Sequence, residues 1–131
     1  MSPQRVLLLF LDGVGIGSED PGINPFFAAE LPTLSRLLGG RLPHLGAPRA
    51  GGEEAVAFPL DPLLGVEGLP QSGTGQTALF TGENAPAIYG RHFGPWVPVK
   101  LRPLLLEENL LSRGLGAGLE CAFANAYPSF Y

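Results

Sequence analysis

Glycine and proline together supply about a quarter of this chain, 19 and 14 of its 131 residues, spread along it without a period. Dispersed breakers of this kind impose turns throughout; a collagen-like or disordered tract would show a repeat or a biased block instead. The length is that of about one domain. Apolar residues make up 45% of the chain, enough for a core, and charged residues 15%, few for a free-standing surface.

Several classes of function are excluded by what is scarce. The net charge is −4, and the seven arginines and single lysine are scattered; with no basic stripe, nucleic acid is not an expected partner. Cys121 is the only cysteine, so there is neither an internal disulfide nor a cysteine metal-ligand spacing, and a reducing, cytoplasmic setting is expected. The apolar run 6–11 is short, is cut by Asp12 and lacks a small-residue cleavage site, so it does not read as a signal peptide. No stretch reaches the roughly 18 apolar residues of a membrane span, so no membrane partner is expected.

The pattern predicts alternating strands and helices. Residues 6–11 (Val-Leu-Leu-Leu-Phe-Leu) form a continuous apolar run, read as a buried strand of a parallel sheet. A glycine-rich loop, Asp12-Gly13-Val14-Gly15-Ile16-Gly17, follows at its carboxyl end, where ligands bind in open α/β sheets. Apolar positions from 24 to 38 have near-helical spacing, broken at Pro32 and stopped by Gly39-Gly40. Residues 40–53 read as loop, 55–60 as a strand, 74–81 as a short helix and 84–97 as irregular with an exposed cluster 89–96. The clearest amphipathic helix is 101–111, ended by Gly114 and Gly116; 119–126 reads as a second buried strand with a loop, 125–128, at its tip. Such an order predicts an α/β chain, a three-layer α/β/α arrangement with a mostly parallel sheet. Two or three parallel strands make a poor sheet alone, so an incomplete amino-terminal portion of such a domain is expected, with no second domain.

Two blocks carry chemistry. In 68–82, Gly-Leu-Pro-Gln-Ser-Gly-Thr-Gly-Gln-Thr-Ala-Leu-Phe-Thr-Gly, Ser72 stands between a proline-stiffened approach and a glycine-rich turn into a helix. A hydroxyl there stands clear of the backbone, and the amides of a helix start can hold an anion. Ser is equally a favoured helix N-cap, and the two roles are compatible. Asp12, 60 positions upstream, is either ordinary Asp-Gly turn chemistry or a carboxylate ligand for a hard or borderline cation. Neither block is a P-loop, because no Gly-Lys-Ser/Thr follows, and residues 13–17 fall short of the dinucleotide fingerprint.

In this order and spacing, Phe10-Leu11-Asp12-Gly13-Val14-Gly15-Ile16-Gly17 and Gly68-Leu69-Pro70-Gln71-Ser72-Gly73-Thr74-Gly75-Gln76-Thr77 resemble the alkaline phosphatase superfamily of metalloenzymes. The branch is that of phosphopentomutase and cofactor-independent phosphoglycerate mutase, and Phe123-Ala124-Asn125-Ala126-Tyr127-Pro128 resembles the same branch. The resemblance covers the amino-terminal part of the family's domain. It implies two divalent cations, Mn²⁺ or Zn²⁺, with Asp12 as a metal ligand and Ser72 as both nucleophile and metal contact. Gly75 matches the glycine three positions after the nucleophile; Gln76 stands where a histidine is usual. The implied reaction is phosphoryl transfer, or hydrolysis of a phosphate monoester, on a phosphorylated small molecule through a phosphoserine. The family's remaining Asp and His ligands come from a carboxyl-terminal part, which this reading requires as a missing half.

Other residues carry weaker signals. Arg91 and His92 read as a substrate-phosphate clamp or, more plainly, as an exposed loop pair beside Phe93 and Trp96. Thr74 competes with Ser72 as a hydroxyl but reads as a local hydrogen-bonding residue. Cys121 reads as a core residue of the last strand. The non-enzymatic alternative is an inactive, truncated fragment that oligomerises or binds a partner through open strand edges.

Overall fold

The computed structural model describes residues 5–124. The chain divides into two compact units, Met1–Leu60 and Asp61–Tyr131, and each is described by itself.

In the first unit, helix α1 spans Pro25–Ala28 and helix α2 spans Pro32–Leu37. Asn24 caps α1 by accepting the Phe26 N–H at 3.1 Å, and both helices carry proline near their first position, where no amide donor is needed. The expected break at Pro32 is therefore the start of α2. Gly39 and Gly40, at φ +72° and +87°, stop it. Strands β1 (Ala50–Gly51) and β2 (Val56–Ala57) pair antiparallel, Ala50 with Ala57 and Gly51 with Val56. The end of α2 lies backbone to backbone on this hairpin. A Cβ on Gly52 would stand 2.6 Å from the Leu37 carbonyl, and one on Gly39 2.8 Å from that of Gly51.

The three-layer α/β/α expectation with a mostly parallel sheet is not met. Among the described residues the sheet is this two-stranded antiparallel hairpin. The expected strand 55–60 is realised only as β2, and its partner lies across residues 52–55. So short a connection allows antiparallel pairing, whereas parallel pairing needs a crossover of a dozen or more residues. Residues 6–11 form no strand and are exposed, Val6 at 95% and Leu7 at 89%. An apolar run has the composition of a buried strand, but it becomes one only where neighbours complete its ladder. Residues 119–124 likewise form no strand and are exposed, Cys121 among them, so the cysteine is not a core residue. The remainder of that expected strand and the loop 125–128 lie outside the described residues.

The second unit is helical. Helix α3 spans Ser72–Thr81, α4 Ala85–Tyr89, α5 Arg102–Glu107 and α6 Leu110–Gly116, with a 3₁₀ turn at Val99–Leu101. Helix α3 packs on α4 and α5. Its inner face is a row of threonines, Thr74, Thr77 and Thr81, all essentially fully buried together with Ala85, Pro86 and Leu101. The hydroxyls of Thr77 and Thr81 donate to the carbonyls four residues earlier, Gly73 at 2.7 Å and Thr77 at 2.8 Å, so burial leaves neither unsatisfied.

Helix α4 falls in the stretch expected to be irregular. Asn84 caps it by accepting the Ala87 N–H at 3.2 Å, Pro86 occupies its first turn, and Gly90 closes it at φ +102°. The amphipathic run expected as one helix over 101–111 is two, because Asn109 interrupts it. Its side-chain oxygen accepts the N–H groups of Leu111 and Ser112, both at 2.9 Å, and starts α6. Gly114 and Gly116 lie within α6 rather than after it. The helix ends in a Schellman turn, with Leu119 N–H bonded to the Gly114 carbonyl and Gly118 N–H to that of Leu115, both at 3.0 Å, and Gly118 at φ +79°.

Candidate functional site

Helix α3 begins where the glycine-rich block predicts a nucleophile. Gln71 occupies the N-cap in extended conformation (φ −132°, ψ 144°) without a side-chain cap bond. Ser72 is therefore not the N-cap but the first helical residue, and it is half-buried. Helical geometry divides the residues after it between two faces. Gly73, Thr74, Thr77 and Thr81 turn inward, while a Cβ on Gly75 would meet nothing within 4 Å. Ser72, Gly75 and Gln76 share this more open side at i, i+3 and i+4. The first amides of a helix have no intrahelical acceptor, so the start of α3 favours an anion.

The first turn is held in place by residues 93–96. Thr74 N–H donates to the Phe93 carbonyl at 2.9 Å, and the Phe93 N–H donates to the Thr74 hydroxyl at 3.1 Å. This reciprocal pair accounts for the burial of Thr74. Gly73 lies so close that an added Cβ would come within 2.7 Å of the Phe93 carbonyl oxygen and closer still to that of Trp96. A Cβ on Gly94 would stand 3.2 Å from the Ser72 nitrogen. Residues 93 and 94 thus form a wall against the turn that carries Ser72.

Two side chains pin the approach to Ser72. Asn84 Nδ2 donates to the Leu64 carbonyl at 2.8 Å, and Leu64 itself has φ +51°. His92 Nε2 lies 3.0 Å from the Val66 carbonyl; a carbonyl only accepts, so Nε2 carries the proton of this contact. The other ring nitrogen, Nδ1, is buried with no hydrogen-bond partner among the described residues. His92 is thus a strut between residues 66 and 92. Arg91 is exposed, its guanidinium carbon 5.8 Å from the centre of the Phe93 ring, within cation–π range.

Asp12 belongs to the first unit, whereas Ser72, Arg91 and His92 belong to the second. Asp12 is exposed and opens a turn whose next residue, Gly13, has φ +74°. Among the described residues no group of three or more His, Cys, Asp or Glu side chains stands together that could hold a metal ion. A closed metal centre needs such a convergent donor set, and Asp12 and Ser72 alone do not make one.

Sequence reasoning missed a cavity of about 600 Å³ in the first unit, lined largely by residues 40–51. Composition assigns this stretch to an ordinary loop; the available signal is the pair Arg41 and Arg49 flanking His44 within it. No protein-family model, curated protein or solved structure matches the chain.

Proposed function

We propose that the chain carries out phosphoryl transfer through Ser72. What supports this reading is the position of that hydroxyl, in the first turn of α3 on its more open side, with residues 93–94 walled against the turn. The substrate class is a small phosphate monoester. Ser72 Oγ attacks phosphorus, the bond from phosphorus to the leaving oxygen breaks, the serine proton passes to solvent and the leaving oxygen takes up a proton. The first-turn amides of α3 offset charge on the non-bridging oxygens and favour the phosphoserine that results. Water or a sugar hydroxyl then attacks the same phosphorus and releases Ser72. Arg91 stands two residues before Phe93, whose backbone holds this turn, and its exposed guanidinium suits a phosphate. The described residues do not assemble the donor set of the two-cation centre that the resemblance implies, so no step here runs through a metal.

The test is to incubate the chain with 4-nitrophenyl phosphate, alone and with Mn²⁺ or Zn²⁺, and to map phosphorylation by mass spectrometry. Phosphate on Ser72, lost in Ser72→Ala, is the expected outcome. An unmodified Ser72 under all three conditions overturns the reading.

A second reading rests on residues 6–11, six exposed apolar residues in a row without strand partners among the described residues. Surfaces of this kind mark interaction sites. On this reading the chain pairs with a second copy of itself through that segment.

A further inference from the structure

We propose that the cavity of the first unit is a binding site for a small organic oxyanion, a phosphate or carboxylate carried on a small apolar body. Its walls combine cations with an aromatic surface: Arg41 and Arg49 line it, together with Ser35, His44, Phe27 and Leu42. About 600 Å³ is the size of a small-molecule site.

Charge decides the sign of the ligand. Three formally charged side chains line the cavity, Arg41, Arg49 and Glu19. Glu19 Oε2 lies 3.4 Å from His44 Nε2, an ion pair whenever His44 carries its second proton. Among the described residues neither Arg41 nor Arg49 has an ion-pair partner, whereas Arg36 is paired with Glu54 and Arg113 with Glu108. The cavity is thus net positive by one with His44 neutral and by two with it protonated. Guanidinium groups match the geometry of carboxylates and phosphates.

The frame around these groups is built rather than loose. Residues 44–47 close a tight turn in which His44 and Ala47 exchange both backbone hydrogen bonds, at 3.1 and 3.0 Å. Leu45 N–H then ties that turn to the Gly17 carbonyl at 2.8 Å. The His44 ring stands edge-on to Phe27, with centroids 6.1 Å apart. The glycine contacts between α2 and the hairpin hold Ser35 and Gly40 near Ala50 and Gly51. Recognition therefore divides: the two arginines and the Ser35 hydroxyl take the oxyanion, and Phe27 with Leu42 takes the apolar body. This inference concerns the first unit and does not rest on the reading of Ser72.

The experiment is titration of the ¹⁵N-labelled full chain with phenyl phosphate, benzoate, inorganic phosphate and, as a neutral control, benzyl alcohol. Saturable shifts of the Ser35, Gly40 and Gly51 amides with phenyl phosphate or benzoate are expected. The tighter of the two identifies the oxyanion as phosphate or carboxylate, and inorganic phosphate binds more weakly than phenyl phosphate. The Arg41→Gln/Arg49→Gln variant should weaken binding about tenfold or more. Arg36→Gln removes one positive charge outside the cavity, half of what the double variant removes, and should leave binding unchanged. If the double glutamine variant does not fold, Arg41→Lys/Arg49→Lys retains the charge but loses the forked contacts, and it should also bind more weakly. Absence of saturable shifts at those amides, equal binding of benzyl alcohol, or equal weakening by Arg36→Gln overturns the proposal.

Discussion

Two glycines two positions apart, Gly73 and Gly75, look alike in the sequence and do opposite things. At Gly73 any side chain would push into the backbone carbonyls of Phe93 and Trp96, neither of which is a flexible end that can swing away. Gly73→Ala should therefore destabilise the chain by about 3 kcal/mol, the upper range for overpacking. At Gly75 there is open space and no positive φ, so Gly75→Ala should stabilise α3 by about 0.5–1 kcal/mol. Urea melts of the two variants check both signs. The motif made this turn legible as a place where chemistry could sit. It could not show which glycine is structural, because that depends on the carbonyls of residues 20 or so positions away, which the local pattern does not contain. Nor could it show that Ser72 falls one position inside the helix, with Gln71 as the cap.

Helix boundaries were readable where a breaker acts alone and obscured where a cap and a breaker act together. Pro32 and Gly39-Gly40 bound α2 much as their chemistry dictates. Helix α4 is hidden because its proline and terminal glycine resemble loop composition, although Asn84 followed by Pro86 is a helix start. The amphipathic run beyond Leu101 conceals Asn109, whose side chain takes two amide donors at once. Asn109→Ala should cost about 1 kcal/mol in a thermal or urea melt. Gly118 closes the same helix with a left-handed backbone, and Gly118→Ala should cost about 1 kcal/mol by the same measurement. The two substitutions act at opposite ends of α6.

At the scale of the molecule, composition anticipated many turns and short elements, and no helix among the described residues is long and apolar enough to cross a membrane. The parallel sheet was not there to be read. Residues 6–11 satisfy the hydropathy of a buried strand, but hydropathy records what a segment would gain from burial and not whether anything lies beside it. If a second copy covers that segment, sedimentation velocity should show an assembly that weakens with dilution, and Leu7→Glu/Leu9→Glu should shift it to monomer; a monomeric parent chain removes that reading. The threonine row of α3 is the converse case, a buried face that hydropathy does not mark. The Gly73 and Thr77 carbonyls there are occupied by hydroxyls from within the helix, away from water. In deuterated solvent the dissociated chain should therefore keep two clocks: the amides of residues 6–11 exchange at nearly the rate of an open peptide, while those of Thr77 and Thr81 retain their protons longest.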